Sequence, residues 1–131
     1  MEDLAAPYHA HIYYSAEQRP VAEALRDKFI RRLNGEEGRQ VLFVGQMTEC
    51  GVGPHPIAQY EIHFLSRSLD DVTATIEDSG LRALIHPLTD DDVADHTSLA
   101  HWIGEPLELD LTVLDPPGKN QGIPRFGKSD F

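Results

Sequence analysis

The sequence predicts an α+β domain of the ferredoxin-like class, in which a split β-α-β arrangement carries one additional strand. Stretches that alternate apolar and polar residues are separated by two stretches of helical periodicity. They follow the order strand, helix, strand, strand, helix, strand, strand. The 131 residues and their apolar share of 40% suit one ordinary globular domain. We therefore expect a single domain over residues 1–131, with an irregular tail from about residue 115.

The first two elements have the clearest patterns. A strand is predicted over Tyr8–Tyr14, where aromatic and β-branched residues alternate between two faces. A helix then begins near Ser15 and ends at Asn34-Gly35, a pair typical of helix C-termini. The apolar residues of this helix recur at helical spacing: Val21, Ala22, Leu25, Phe29, Ile30 and Leu33.

The middle of the chain predicts two strands and a second helix. Gln40–Met47 is typical of a buried strand, and Ile57–Leu65 alternates as its partner. The segment Thr48–Pro56 between them contains two glycines and two prolines, too many for a tight hairpin, so we expect a shaped loop. A helix is predicted over Leu69–Asp78 and is ended by Gly80.

The last third predicts a strand at Leu81–His86 and a short helix from Thr89, its N-cap, to about Ala100. The alternation in Leu107–Leu114 predicts a fifth strand. A sheet of this class carries helices on one face only. Because its other face must be covered, we expect a homodimer that lays two sheets together.

Charge and composition exclude several classes of protein. Twenty-two acidic and eleven basic residues give a net charge of −11, which repels nucleic acid and anionic lipid alike. No apolar run approaches the roughly 20 residues of a membrane-spanning helix. The acidic N-terminus does not resemble a secretory signal. With Cys50 as the only cysteine, we expect a cytoplasmic protein that binds neither nucleic acid nor membrane.

Histidine is the unusual feature of the composition, with seven copies. In the first strand, alternation puts His9, His11 and Tyr13 on the face opposite Tyr8, Ala10, Ile12 and Tyr14. His9 and His11 would lie about 6.6 Å apart, so one or both can reach a common ion. Glu61 and His63 occupy the equivalent face of the partner strand. This polar face predicts a cleft, provided that the strands present their polar sides together.

Four further histidines lie outside these two strands. His86 ends a strand immediately before Pro87, a position that commonly faces a loop-lined pocket. His55 lies between two prolines that restrict its backbone, which favours a functional role over a mere strand boundary. His96 can face the sheet if its helix crosses the open side. His101 lies five residues later, about 140° around a helix, so it is not expected to bind the same ion. It is expected to support a metal ligand or to contact substrate.

An ordered set of motifs resembles the DOPA 4,5-dioxygenase family of fungal pigment enzymes and their bacterial relatives. The motifs are Tyr8-His9-Ala10-His11-Ile12-Tyr13-Tyr14, Gly53-Pro54-His55-Pro56, His86-Pro87, and Asp95-His96-Thr97 with Trp102-Ile103-Gly104. The resemblance extends from Tyr8 to about Leu114. It implies a dimeric ferredoxin-like α/β barrel that cleaves a catechol ring in the extradiol position, using non-haem Fe(II) and O₂.

The resemblance also suggests roles for individual residues. By position, we expect His11, His86 and His96 to bind the metal, with Glu61 or Asp95 as an alternative carboxylate ligand. His55 is the candidate acid/base, because imidazole titrates near neutrality, and His9 is either a second catalytic residue or a hydrogen-bonded wall residue. The remaining candidates are expected to contact the small aromatic substrate: Tyr13, His101 and Arg125.

A second hypothesis keeps the fold and removes the turnover. Zinc accepts the same imidazole ligands as iron but does not perform one-electron chemistry with O₂. The chain would then be a dimeric domain that binds zinc or a small phenol. A third hypothesis makes the dimer purely structural and its histidines incidental, in which case alanine at His11 and His86 would leave the metal content unchanged.

Overall fold

The computed structural model describes residues 6–33, 41–51, 54–89 and 91–114. Within these ranges the strands are β1 (Pro7–Tyr13), β2 (Phe43–Val44), β3 (Gln59–Leu65), β4 (Arg82–Pro87) and β5 (His101–Ile103). The helices are α1 (Arg19–Leu33), α2 (Leu69–Ser79) and the single turn α3 (Asp92–Asp95), with 3₁₀ turns at Ser66–Ser68 and Leu111–Val113. In the described part of the chain, no helix has the length and apolar character to cross a bilayer.

The strands form one sheet in the order β2-β3-β1-β4-β5, and each strand is antiparallel to its neighbours. Strands β1 and β2 are joined through α1; they are parallel to each other, and β3 lies between them. Strands β3 and β4 are joined through α2; they are also parallel, and β1 lies between them. Each β-α-β unit is thus split by a strand of the other, so the predicted α+β class and the order of its strands are confirmed.

The helices cover one face of this sheet and form the core with it. Alternation along β1 and β3 was predicted to turn one set of side chains toward the helices, and the structure buries that set. The core contains Ala10, Ile12, Tyr14, Tyr60, Ile62 and Phe64 from the sheet, with Ala22, Leu25, Phe29, Val72 and Ile76 from the helices. Because the apolar side chains are collected on this face, the alternate residues of β1 and β3 lie on the other.

The ends of the helices follow the sequence signals. Ser15 and Gln18 form a capping box: the Gln18 amide donates to Ser15 Oγ, and the Ser15 amide donates to Gln18 Oε1. Gly80 ends α2 with a φ of 77°, and its amide donates to the Glu77 carbonyl. The predicted end of α1 at Asn34-Gly35 lies outside the described residues, as does the tail from residue 115.

The strand predicted over Gln40–Met47 is shorter in the structure, where β2 contains two residues. Backbone amides of Leu42, Gly45 and Thr48 still donate to β3 carbonyls at 2.8 to 3.0 Å. Gln40 itself is outside the described ranges. The chain therefore runs along β3 as predicted, with regular pairing confined to Phe43 and Val44.

The fifth strand was predicted at the wrong place. β5 is His101–Ile103, paired with Ala83–Ile85 of β4, whereas the alternating segment Leu107–Leu114 forms only a 3₁₀ turn. The place beside β4 that the predicted fifth strand would take is occupied by β5. The Asp110 amide instead donates to the Pro54 carbonyl at 2.9 Å, which ties the segment to a loop.

The helix predicted from Thr89 to Ala100 is reduced to one turn, and Thr89 is not its N-cap. The Asp91 carboxylate caps it by accepting from the Ala94 amide at 3.0 Å. Thr89 is engaged elsewhere, because its amide and hydroxyl both donate to the Asp95 carboxylate. This early end of the helix allows the chain to return to the sheet as β5.

Candidate metal centre

The face of the sheet opposite the helices collects histidines in register. His9 lies directly opposite His63 on β3 and opposite His86 on β4. His11, two residues along β1, lies opposite Glu61. Residues directly opposite in an antiparallel pair point to the same side, so these five side chains meet on one face. All of them are buried, with exposed fractions of 0 to 4%.

The closest approach in this cluster joins two imidazoles from different strands. His11 Nε2 and His86 Nε2 are 3.0 Å apart. His11 Nδ1 donates to the Gln59 side-chain oxygen at 3.0 Å, and His86 Nδ1 donates to the Pro87 carbonyl at 2.8 Å. Since each neutral ring carries one N–H, at Nδ1, both Nε2 atoms present lone pairs to each other. Two facing lone pairs repel each other, and a proton or a cation between them would remove the repulsion.

The burial of both rings disfavours the proton. Loss of solvation lowers the pKa of His11 from 6.5 to about 4, although the Glu61 carboxylate acts in the opposite direction. The pKa of His86 is also well below its usual value, first because of burial and then because of the neighbouring His96 and His11. These rings are therefore neutral near pH 7, which is the form that binds metal ions.

His9 completes a group of three around this point. One ligand atom from each of His9, His11 and His86 lies within 4.8 Å of the others. The ring centroid of His9 is 6.1 Å from that of His11 and 5.4 Å from that of His86. Two nitrogens that bind one ion at about 2.1 Å and at a right angle are about 3.0 Å apart, which is the separation of the two Nε2 atoms. The group therefore fits a divalent cation.

His96 and His55 reach the cluster from the two covering loops. The ring of His96 is 4.3 Å from that of His86, and the ring of His55 is 4.1 Å from that of His11. Both are buried, with 4% and 3% of their surfaces exposed. His96 is thus brought to the predicted metal site, although neither of the two three-residue groups that fit an ion in the described residues includes it.

Tyr13 and His55 form a hydrogen-bonded pair beside the cluster. The Tyr13 hydroxyl is 2.7 Å from His55 Nδ1. Burial lowers the pKa of His55, and the nearby His11 and His96 lower it further. Burial also raises the pKa of Tyr13. A neutral imidazole thus lies against a protonated phenol, and its lowered pKa departs from the titration near neutrality on which the predicted acid/base role of His55 was based.

The two carboxylates left open by the sequence differ in their surroundings. Asp95 is buried, but its two oxygens accept from the amide and hydroxyl of Thr89 at 2.9 and 2.6 Å. Glu61 Oε2 is 3.3 Å from His63 Nε2 and 3.6 Å from His9 Nδ1. Glu61 thus lies beside His63 and His9, and Asp95 accepts hydrogen bonds within the turn that carries His96.

Comparison with known proteins identifies the family. The profile of the Dopa 4,5-dioxygenase family matches residues 8–113. The chain belongs to the DOPA 4,5-dioxygenase family. A DOPA 4,5-dioxygenase from Amanita muscaria is 34% identical over 123 residues, which cover 89% of this chain and 52% of that protein. An uncharacterized 21.2 kDa protein from Botryotinia fuckeliana is 30% identical, over 85% of this chain and 64% of its own length.

A solved structure agrees with this assignment to the DOPA 4,5-dioxygenase family. The crystal structure of a candidate dioxygenase from Nostoc punctiforme matches with a TM-score of 0.73 and 32% identity. The match covers 86% of this chain and 96% of that one. The chain spans roughly half to two thirds of the length of the two fungal relatives, so their whole activities are not carried over directly.

His101, one of the residues predicted to contact substrate, lies away from the histidine cluster. His101 is exposed and lies opposite Ile85, a core residue, so its side chain is on the helix-covered face. It is therefore not among the side chains that meet on the histidine face, and its contact with substrate stays a prediction. Arg125 lies outside the described residues. Tyr13 does reach the cluster, through His55.

Trp102 is an aromatic residue at this site that was not a candidate from the sequence. It lies opposite Leu84, which lies opposite His11, so it is on the histidine face. Its ring stacks against Tyr13 with centroids 6.0 Å apart and an angle of 18°. The signal was available in the motif Trp102-Ile103-Gly104, but a strand at 101–103 was not predicted, and without it Trp102 had no assigned face.

A surface depression reaches Tyr13 from outside. Its volume is about 490 Å³, and its lining includes Gln18, Ile57, Arg82 and Glu105. The histidines themselves are closed off by the loops that carry His55 and His96. Tyr13 therefore lies between the depression and the histidine cluster.

Proposed function

We propose that this chain is a ring-cleaving dioxygenase that opens catechols in the extradiol position, with Fe(II) held by His9, His11 and His86. The observation that carries the proposal is the 3.0 Å approach of two Nε2 atoms whose rings both donate through Nδ1. Membership of the DOPA 4,5-dioxygenase family supports it. This ligand set replaces the predicted His96 with His9 and leaves His96 beside His86.

Three nitrogen ligands suit the proposed chemistry. Ferrous iron with three protein ligands supplies open positions for a catechol and for O₂, together with the ability to exchange single electrons. The chain's part is to hold the imidazoles neutral and to fix their direction. Gln59 and the Pro87 carbonyl do this for His11 and His86, since each accepts the Nδ1 proton.

His55 is the residue that we propose moves a proton. Its Nδ1 faces the Tyr13 hydroxyl, so transfer to or from a catechol hydroxyl would use Nε2. When Nδ1 donates its proton to the Tyr13 oxygen, the neutral ring keeps its lone pair at Nε2, where it would accept the catechol proton as a base. Tyr13 and Trp102 form the aromatic wall on the side of the surface depression, and a small aromatic substrate is expected to enter there once the loops open.

The first test combines metal content with O₂ uptake. Protein loaded anaerobically with Fe(II) is expected to consume O₂ with at least one member of a catechol panel and to form a yellow ring-opened product. Alanine at His11 or His86 should abolish metal retention and uptake. His101→Ala is the matched control, because His101 is an exposed histidine on the opposite face, and it should retain both.

The alternative function is zinc binding without turnover. It is favoured by one observation, that the three ligands are buried neutral imidazoles, which zinc accepts as readily as iron. Retention of metal without O₂ uptake from any catechol would support this alternative and reject the dioxygenase.

We further propose a cytoplasmic homodimer, and the molecular mass of the protein in solution tests the dimer.

A further inference from the structure

Glu61 and His63 lie behind the three proposed ligands and have no role in the proposed reaction. Glu61 Oε2 accepts from His63 Nε2 at 3.3 Å and is 3.6 Å from His9 Nδ1. Both side chains are buried, with exposed fractions of 4% for Glu61 and 0% for His63. A buried carboxylate is costly unless it is paired, so its placement beside a ligand calls for a physical reason.

The imidazole ring of His63 stacks on that of His9. The two imidazoles are parallel to within 5°, and their centroids are 3.6 Å apart. The Phe43 ring packs against His63 with centroids 4.5 Å apart. His9 is therefore held by a stack of flat side chains that begins on β2 and crosses β3.

The same stacking argues against a second ion at this place. The ligand atoms of His9, Glu61 and His63 are close enough to suggest one. An imidazole, however, directs its lone pair within the plane of its ring, and the planes of His9 and His63 are separated by nearly the full 3.6 Å. One ion cannot lie in both planes, so these two rings do not chelate it together.

We propose that Glu61 and His63 are positioning residues for His9, which set its ring orientation and supply negative charge beside the metal centre. The inference rests on the proposed metal centre. With Nδ1 held near the carboxylate, Nε2 is the atom that His9 offers to the ion. Three neutral imidazoles do not balance the charge of a divalent cation, and the Glu61 carboxylate lies 3.6 Å from one of them, His9.

The test compares two buried carboxylates. Glu61→Gln keeps the shape of the side chain and an oxygen for His63 but removes the charge. Asp95→Asn is the matched control, since Asp95 is equally buried but bonds to Thr89. Glu61→Gln is expected to weaken Co²⁺ binding roughly 10- to 100-fold and to shift the visible absorption of bound Co²⁺. Asp95→Asn should lower thermal stability while leaving Co²⁺ affinity and spectrum unchanged.

Each other outcome has a defined meaning. Equal Co²⁺ affinity in wild type and Glu61→Gln, or equal losses in both variants, overturns the positioning role and leaves the metal centre intact. Two ions per wild-type chain, of which Glu61→Gln loses only one, overturns it in favour of a second site. A wild-type chain that binds no Co²⁺ removes the proposed metal centre and this role with it.

A second variant covers the case in which Glu61→Gln does not fold. His63→Phe keeps a flat ring against His9 but removes the hydrogen bond that holds the carboxylate. It is expected to weaken Co²⁺ binding to a similar extent. Wild-type affinity in this variant would show that stacking alone orients His9, and the carboxylate would lose its proposed part.

Discussion

At the scale of single residues, the direction of the imidazoles is the property on which the site depends. His11 and His86 are turned by acceptors of two different kinds, a side-chain amide and a backbone carbonyl. The amide can be changed by mutation. A substitution at Gln59 can therefore test the orientation of His11. The side-chain oxygen of Gln59 determines which nitrogen of that ring faces the proposed ion.

Gln59→Leu is expected to weaken metal binding because the Nδ1 proton of His11 loses its acceptor. Removal of such an outer partner typically costs roughly 10- to 100-fold in metal affinity. Titration with Co²⁺ measures the change. Gln46→Leu replaces an exposed glutamine in the preceding segment and should leave the affinity unaltered; an equal loss in both variants would contradict the role of Gln59.

Adjacent tyrosines offer a second comparison at the residue scale. Tyr13 bonds to His55, whereas Tyr14 donates to the Thr48 carbonyl at 2.7 Å. Tyr13→Phe should destabilise the fold by about 1–3 kcal/mol, because the buried His55 loses its bond. Tyr14→Phe should cost about 0.5–1.5 kcal/mol, because Thr48 is only partly buried. Only Tyr13→Phe should also lower the rate of O₂ uptake with a catechol, since only Tyr13 orients the proposed proton carrier. Urea unfolding and O₂ consumption measure the two effects separately.

At the scale of elements, the ends of helices depend on backbone conformation as much as on side chains. Gly80 adopts a φ of 77°, and a side chain there would meet nothing within 4 Å. A substitution would therefore report on the left-handed backbone alone. Because the residue ends α2 immediately before β4, its conformation also sets where β4 begins.

Gly80→Ala is expected to lower the free energy of unfolding by about 1 kcal/mol. Gly80→Asn should lose less, because asparagine tolerates the left-handed region better than alanine. Urea denaturation of both variants checks this order. If alanine proved as stable as glycine, strain at this position would not control the end of α2.

The sequence predicted the elements whose local pattern and tertiary role agree. β1, α1 and α2 have both, and so the histidine face of β1 could be recognised before the structure. The strand predicted at Leu107–Leu114 is not formed, and three less regular residues, His101–Ile103, pair with β4 instead. Because no strand was predicted at 101–103, His101 was expected at the pocket and Trp102 was assigned to no face.

The proposed metal ligands were predictable only in part, for a related reason. His11 and His86 were predicted to act together, and their 3.0 Å approach depends on the register between β1 and β4, which a single strand does not reveal. Glu61 could not be preferred to Asp95 from spacing. The preference follows from the hydrogen bonds of Thr89, which are formed in a turn that was predicted to be helix.

At the scale of the whole molecule, the buried histidines make the metal-free protein sensitive to acid. His11, His55 and His86 all have a lowered pKa when folded, mainly because burial penalises the charged ring. In the unfolded chain they titrate near 6.5. Between about pH 6.5 and the folded pKa, which is about 4 for His11, the unfolded chain binds protons that the folded chain does not.

The stability of the metal-free protein is therefore expected to be full above about pH 6.5 and to fall as the pH decreases below it. Each such histidine contributes roughly 1.4 kcal/mol per pH unit in this window. Thermal unfolding at pH 7.5, 6.5 and 5.5 measures the slope. His11→Asn should reduce the slope and His101→Ala should not, and a flat profile in the wild type would contradict the burial of neutral rings.

The loops that close over the histidines also have a kinetic consequence. An ion held under side chains that are 0 to 1% exposed can leave only when part of the chain opens locally, so its escape is limited by that opening and not by its binding strength. Transfer to an external chelator should then be slow and independent of chelator concentration. The protein would keep whichever ion was present when it folded.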